Sequence, residues 1–394
     1  KVFTTCFNNL AEGKITGEKI LFGKPSYTEE EELALKRVLY SGWTGLGPET
    51  EAFEHELAQY LGSKKVITVD SCTSALFLAL RISGVGAGDE VLVPSFTWCA
   101  TANAAIFCGA TPVFCDVDPQ TFCISISDVV TRITPKTKAV IVVHYGGYPA
   151  DVFELKKNLP ANIAVIEDAA HAFGAIYPNG KKVGNSGNLT CFSFYSNKNL
   201  ATGEGGAISL NNEELALRIK KLRQNGMPVS SWQQITGIKT GLPQPEELGY
   251  KMNYIDLHAC IGRVQLKRFD QMQKTRAAIV DIYRKALLKH FPDIRIQLHV
   301  ESAVHAKHLF VILLPHNKPV TSRNQLLMKL RERDIGASVH YMPLHMMEYY
   351  KNSFGVTSLP VCEHLFHYVL SLPLSASMSL GQAEYVAQTL TQLI

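Results

Sequence analysis

The sequence predicts an α/β protein in which a large domain with a mostly parallel sheet is followed by a smaller α+β domain. Three observations carry that expectation. Between residue 65 and about residue 170, short β-branched apolar runs alternate with helical stretches, and strand–helix–strand repetition builds parallel sheets. The runs are continuously apolar instead of alternating in polarity, as strands covered by helices on both faces should be. The chain has 394 residues, beyond the ~250–300 at which a single core usually splits.

Taken in order, Thr28-Glu-Glu-Glu31 forms a capping box before an apolar-periodic helix over 27–41. Strands are expected at Val66–Val69, Glu90–Val93, Pro112–Val117, Ala139–Val143 and Ala164–Ile166. Two more, Cys191–Tyr195 and Gly206–Leu210, follow with no helix between them. Ser230–Glu247 has no clear period and is rich in Ser, Gln, Gly and Pro, which reads as a long functional loop. A long helical pattern from about Ile255 then crosses into a second region. That region carries strands Ile294–Val300 and His308–Leu314, a helix opened by Ser322-x-x-Gln325, a strand near Ala337–Tyr341, and a C-terminal helix from about Ser379. The boundary is expected near residue 270, giving domains 1–270 and 271–394. Gly84-Val-Gly-Ala-Gly88 follows a helix and precedes a strand, the reverse of what a dinucleotide site needs, so it reads as a turn.

Composition excludes several classes. At 46% hydrophobic and 19% charged, with a formal charge of +4, the chain is an ordinary globular protein without a basic run for nucleic acid. No apolar stretch approaches the ~20 residues that span a bilayer. The first residues, Lys1-Val-Phe-Thr-Thr-Cys-Phe7, lack the layout of a signal peptide; opening on Lys instead of Met, the chain is expected to begin inside its gene product. Nine scattered cysteines with no C-x-x-C pair, mostly in runs such as Pro112-Val-Phe-Cys115, suggest reduced core thiols and a cytoplasmic enzyme. No H-E-x-x-H motif occurs and His364-Leu-Phe-His367 is apolar-flanked, so no metal site is expected.

Four segments, each following an expected strand, combine residue types that chemistry uses. In Ser193-Phe-Tyr-Ser-Asn-Lys198-Asn-Leu-Ala-Thr-Gly-Glu-Gly-Gly206, one lysine sits in a glycine-flanked loop, where burial can lower its pKa enough for Schiff-base chemistry; alone, Lys198 reads equally as a solvated loop lysine. Val165-Ile-Glu-Asp168-Ala-Ala-His171 ends a strand with a carboxylate that needs a cationic partner if buried. A protonated pyridine nitrogen is such a partner; a helix cap and a core histidine are the plain alternatives. Asp70-Ser-Cys72-Thr73-Ser opens a helix, either as a phosphate site or as an ordinary N-cap. Pro94-Ser-Phe-Thr-Trp98 puts a flat aromatic at a strand end, to stack on a planar ligand or to fill the core. Ligands of open α/β sheets bind beyond the carboxyl ends of the strands, so the four can converge.

Together these segments resemble the DegT/DnrJ/EryC1/StrS sugar aminotransferases, fold-type-I pyridoxal-phosphate enzymes. The resemblance runs in order from Ser41-Gly-Trp-Thr-Gly-Leu-Gly-Pro48 through Gly109-Ala-Thr-Pro-Val-Phe114 and Val143-His-Tyr-Gly-Gly-Tyr-Pro-Ala-Asp151. It continues over the Asp168 and Lys198 segments to Gly249-Tyr-Lys-Met-Asn253 and Val339-His-Tyr-Met-Pro-Leu-His345. It implies that Lys198 holds pyridoxal 5'-phosphate and shuttles the reaction's proton, that Asp168 pairs with the pyridine nitrogen, and that His171 lies near the phenolic oxygen. It further implies that Trp98 covers the ring, that Cys72, Thr73 and Ser193 hold the phosphate, and that Asn253 reaches it from the second subunit of a homodimer. Trp43, Thr44, Tyr341 and His345 fall in the regions that would contact a keto-sugar, expected to be nucleotide-linked, with glutamate as amino donor, in amino-sugar, polysaccharide or antibiotic biosynthesis. Ser71-Cys-Thr73 replaces the family's usual Ser-Gly-Thr, a minor change for a backbone contact. Some relatives carry histidine at the lysine position and are dehydratases; Lys198 favours transamination. The alternatives are a dehydratase or isomerase on the same fold, or a non-enzymatic regulator that retains it.

Overall fold

The computed structural model describes residues 19–237, 243–298, 302–315 and 320–394. Helices α1 (Glu29–Tyr40) and α2 (Pro48–Leu61) lead into strand β1 (Lys65–Val69) and helix α3 (Cys72–Ile82). Alternation continues through β2 (Glu90–Pro94), α4 (Cys99–Phe107), β3 (Thr111–Cys115), α5 (Ile126–Arg132), β4 (Thr137–Val143), α6 (Val152–Lys157) and β5 (Ala164–Asp168). Then β6 (Leu189–Ser193) and β7 (Gly206–Leu210) follow each other directly, before α7 (Glu213–Leu222), α8 (Ser231–Ile235) and the 35-residue α9 (Asp256–His290). The remainder comprises β8 (Arg295–Ile296), β9 (Phe310–Leu313), α10 (Val320–Arg331), α11 (Glu348–Phe354), α12 (Pro360–Tyr368), β10 (Val369–Leu372) and α13 (Leu380–Leu393).

Seven strands form one sheet in the order β1-β7-β6-β5-β4-β2-β3. Strands β2 to β6 pair in parallel, whereas β7 runs antiparallel to both β6 and β1. The expected mostly parallel sheet is therefore present. Its strands are buried along nearly their whole length, all of Val66–Val69 and Ala139–Val143 included, because helices cover both faces. In register, Val143 lies beside Asp168, Asp168 beside Cys191, and Ser193 beside Gly206, so the polar strand ends gather at one edge. A second, antiparallel sheet takes the order β10-β9-β8.

Two large hydrophobic clusters back these sheets, and α9 feeds both. Ala259, Phe269 and Met272 join the large-sheet cluster, while Ile279, Tyr283 and Leu287 join the other with Phe310, Leu330, Leu370 and Val386. Residue 270 thus lies inside one continuous helix. Leu344, Tyr350, Leu359 and Leu365, from beyond it, return to the first cluster. The first turn of α9 also fixes α2: the Asp256 carboxylate accepts from the backbone N–H of Gly47, Glu49 and Thr50 and from the Thr50 hydroxyl, at 2.7–3.2 Å. It caps a helix whose own N-cap, Gly47, has no side chain to do so.

The local expectations hold at the capped ends. Thr28 with Glu31 and Ser379 with Gln382 form capping boxes. Gly84 and Gly88 turn the chain between α3 and β2 with φ of +80° and +88°. Four expectations differ. Ala337–Tyr341 is not a strand: Ser338 exchanges both backbone hydrogen bonds with Ser371, and the chain then leaves the sheet, taking Tyr341 toward His171. Val369–Leu372 is the third strand of the small sheet, hidden in the sequence because it follows α12 without a turn. Within Ser230–Glu247, Ser230 and Gln233 cap the short helix α8, and residues 238–242 lie outside the described residues. Of the expected strand Ile294–Val300, only Arg295–Ile296 pairs, and its last two residues also lie outside them.

Candidate active site

The loop between β6 and β7 is held by Phe194, whose N–H donates to Gly205 O while its carbonyl accepts from Thr202 N, both at 2.8 Å. Within it the Lys198 N–H donates to Tyr195 O at 2.9 Å, and the Lys198 amine comes within electrostatic reach of Cys72 and Asp168. Burial pushes the Lys198 amine down to about 8, although Cys72 and Asp168 nearby pull it up. The ordinary value is 10.5, so Lys198 is a partly neutral amine close to physiological pH.

Asp168, at the end of β5, is 6% exposed. Its carboxylate accepts from the Thr101 hydroxyl at 2.8 Å and from Ala170 N at 3.1 Å, and no ion pair to it occurs among the described residues. Burial raises its pKa, with Thr101, Ala170, Lys198 and His144 opposing. Thr101 in turn lies 3.0 Å from the Thr97 hydroxyl.

His171 is buried beside this pair. Its Nδ1 accepts from Gly146 N at 3.3 Å, so the proton of the neutral ring sits on Nε2, which donates to the Tyr341 hydroxyl at 3.0 Å. Burial, then Lys198 and His340, hold its pKa well below the usual value. His308 packs against it at a tilt of 34°, with centroids 4.6 Å apart, and its pKa is held down by burial, Lys198 and His171. His340, bonded to Ser371 Oγ at 2.9 Å, is pushed down to about 3 by burial and Lys198. Three neutral imidazoles therefore lie near the lysine. Trp98 precedes α4, is 59% exposed and lies 6.0 Å from the Tyr341 ring.

Cys72 and Thr73 occupy the first turn of α3, whose N-cap Ser71 accepts from Ser74 N at 3.1 Å; N–H groups in that turn have no intrahelical partner. Strand β7 approaches this turn closely because Gly206 has no side chain: a Cβ there would lie 2.4 Å from Ser71 C and 2.5 Å from Cys72 N. Ser193 ends β6 beside Gly206, its hydroxyl accepting weakly from Tyr195 N at 3.4 Å.

The structure thus brings Lys198, Asp168, Cys72, His171, Tyr341 and Trp98 together and places Thr73 and Ser193 at their margin. Other expected residues lie elsewhere in the chain. Trp43 donates from Nε1 to Leu46 O at 3.1 Å, packs on Trp232, and lines a cavity of about 390 Å³ with Asn253, Ser230 and Lys251; Thr44 beside it is exposed. His345 is a buried tie: the Ser95 hydroxyl donates to its Nδ1 at 2.7 Å and its Nε2 faces Glu363 at 3.3 Å. The sequence pattern assigned no role to Thr97, Thr101 or His308, and marked His340 only as the edge of a region expected to contact the sugar.

Comparison with known proteins gives the arrangement its context. Residues 25–391 match the DegT/DnrJ/EryC1/StrS aminotransferase family. The chain belongs to this family. It is 38% identical over 379 residues to the spore coat polysaccharide biosynthesis protein SpsC of Bacillus subtilis, covering 95% of this chain and 96% of that one. Among solved structures, Spr1654 of Streptococcus pneumoniae, assigned as a sugar aminotransferase and solved in pyridoxal- and pyridoxamine-phosphate forms, superposes with a TM-score of 0.88 at 29% identity, covering 95% and 98%. Helicobacter pylori PseC, an aminotransferase involved in pseudoaminic acid biosynthesis, gives 0.85 at 25% identity, covering 95% and 99%. The enzyme is accordingly a pyridoxal-phosphate-dependent aminotransferase. Its residues suit that cofactor: a buried carboxylate without an ion-pair partner among the described residues, a lysine amine at about 8, open N–H groups at the start of α3, and a buried Asn253 Oδ1 with no hydrogen-bond partner among the described residues.

Proposed function

We propose that this chain transfers an amino group from glutamate to the keto group of a nucleotide-linked sugar, working as a homodimer in the cytoplasm. The observation that carries the reading is Lys198, a half-buried lysine whose amine is held at about 8, set beside Asp168 and three neutral histidines. When bound, pyridoxal phosphate supplies the electron sink for the carbon that loses and regains a proton. Lys198 Nζ is the group that covalently holds it and moves that proton, since an amine at about 8 can both accept and return one near neutral pH. Asp168 holds a positive charge at the ring nitrogen. His171, whose Nδ1 is engaged by Gly146, would turn its Nε2–H from the Tyr341 hydroxyl to the phenolic oxygen. Cys72 and Thr73 offer N–H groups, and Ser193 its hydroxyl, to the phosphate, while Trp98 covers one ring face.

Asn253 and Trp43 share a cavity apart from Lys198, which supports a dimer in which Asn253 of the partner subunit completes the phosphate site. Tyr341, with Trp43, Thr44 and the His345 segment, is proposed to border the sugar. The free state of all the described cysteines supports a reducing compartment. The roles of SpsC in spore coat polysaccharide and of PseC in pseudoaminic acid biosynthesis support a sugar acceptor. Domains 1–270 and 271–394 are proposed as the cofactor-holding and the smaller unit.

The test is to incubate the purified enzyme with pyridoxal phosphate, glutamate and a panel of keto-sugar nucleotides, following 2-oxoglutarate and aminated sugar. Stoichiometric formation of both is expected. Lys198→Ala should lose the visible band of the lysine-bound cofactor together with all transfer. Persistence of that band in Lys198→Ala would refute the lysine's role, and failure with every acceptor would refute the substrate class.

A further inference from the structure

Asp168 lies under more ordering than a lone counter-ion requires. Its Oδ1 accepts from Ala170 N at 3.1 Å, and its Oδ2 accepts from the Thr101 hydroxyl at 2.8 Å. An ionised carboxylate only accepts, and a hydroxyl has one proton to give. Thr101 gives its proton to Asp168, so in the 3.0 Å contact between the two threonines Thr97 must be the donor. Both hydroxyls belong to residues at most 2% exposed, shut away from water that could substitute for them. The result is a directed chain, Thr97 to Thr101 to Asp168, in which every proton points at the carboxylate. The same turn carries Trp98, so one helix start places both the covering aromatic and the donor.

We propose that Thr101 is a positioning residue that holds the Asp168 carboxylate aimed and anionic for the cofactor's ring nitrogen, and that Thr97 orders the Thr101 hydroxyl. This rests on the reading of Asp168 as the partner of that nitrogen. Burial opposes ionisation of Asp168, and the surrounding groups divide. Lys198 from the β6–β7 loop and His144 at the end of β4 favour the anion, whereas Cys72 on α3, Cys191 on β6 and Tyr341 would repel it only if themselves deprotonated, which burial prevents. Thr101 is the foremost group opposing burial. Valine keeps its shape and removes its proton. A hydrogen bond to a charged group is strong enough that its loss should weaken cofactor binding about ten- to a hundredfold.

The experiment measures the dissociation constant of pyridoxal phosphate from the apo-enzyme, by absorbance titration from acid to alkaline pH. It compares the unsubstituted enzyme, Thr101→Val, Thr101→Ser and Thr97→Val. Thr101→Val should bind about tenfold or more weakly, and its affinity should fall on the acid side at a higher pH, because the carboxylate has lost the donor that kept it ionised. Thr101→Ser, which restores the proton, should return both readouts to the unsubstituted values. Thr97→Val, which leaves the bond to Asp168 in place, should move both in the same direction by a smaller factor, about threefold. Unchanged affinity and an unchanged acid limb in Thr101→Val would overturn the proposal, as would equal losses in the valine and serine variants, which mark packing and not the proton. If the unsubstituted enzyme failed to bind pyridoxal phosphate at all, the functional reading itself would fall with it; normal binding through Lys198 with an indifferent Thr101→Val would overturn this inference alone.

Discussion

Asp168→Asn should move apo stability and cofactor affinity in opposite directions. Asparagine fits the site: its Oδ1 can keep the bond from Ala170 N, and its Nδ2 can donate to the Thr101 hydroxyl, whose proton then turns to Thr97. One hydroxyl proton of the threonine pair then lacks an acceptor, a cost that offsets part of what removing the charge returns. What disappears is a charge whose pKa burial raises in the fold, meaning that above that folded value the native state bears a penalty the unfolded chain does not. At neutral pH the apo-enzyme should therefore become more stable, on the order of 1 kcal/mol or roughly 1–3 °C in Tm, the scale on which functional sites trade stability for activity. Cofactor binding loses its charged partner, a contact whose removal should weaken affinity about ten- to a hundredfold. At saturating pyridoxal phosphate, that removes about 1.4–2.8 kcal/mol of ligand-linked stabilisation. Thermal denaturation with and without cofactor, beside a binding titration, reads all three quantities. An apo-enzyme that melts lower, combined with unweakened cofactor binding, would refute the reasoning.

Three other outcomes follow from the geometry. Gly206→Ala drives a Cβ to 2.4 Å from Ser71 C, so β7 or the start of α3 must shift, costing about 1–3 kcal/mol; melting should drop and cofactor affinity fall with it, and a variant matching the unsubstituted enzyme in both would contradict the close approach. Asp256→Ala removes the acceptor for four donors at the start of α2 and should destabilise by about 2–4 kcal/mol in denaturant unfolding. His171, His308 and His340 have folded pKa values below 6.5, so the stability they contribute is complete above that pH and is lost as pH falls, for His340 down to about 3. The apo-enzyme should thus melt lower at about pH 5.5 than at about pH 7.5, the raised Asp168 acting in the opposite sense as one group against three; a flat or rising Tm would count against neutral imidazoles around Lys198.

The legible part of this protein is what periodicity and strand ends encode. Continuous apolar runs ending in Asp168 or leading to Trp98 and Lys198 announced both the parallel sheet and the edge where its polar residues meet. The illegible part depends on contacts between distant segments. Thr101 and Asp168 are 67 positions apart, and a threonine among the alanines of α4 looks like filler until the sheet brings β5 beside it. His308 and His340 reach the site from segments around the small sheet, where the sequence pattern supplied a strand, Ala337–Tyr341, in place of the departure that delivers Tyr341. His345 shows the converse: a motif residue spent on Ser95 and Glu363, holding the end of β2 to α12.

Helix α9 has a mechanical consequence. With 35 residues and no proline, it is a rod about 52 Å long. One end carries the Asp256 clamp on α2, its middle inserts Phe269 and Met272 into one core, and its far third inserts Ile279, Tyr283 and Leu287 into the other. A swing of one core against the other would have to bend this rod or strip one set of side chains from its bed. The helix therefore works as a splint: it resists any motion in which the two cores would open like a jaw.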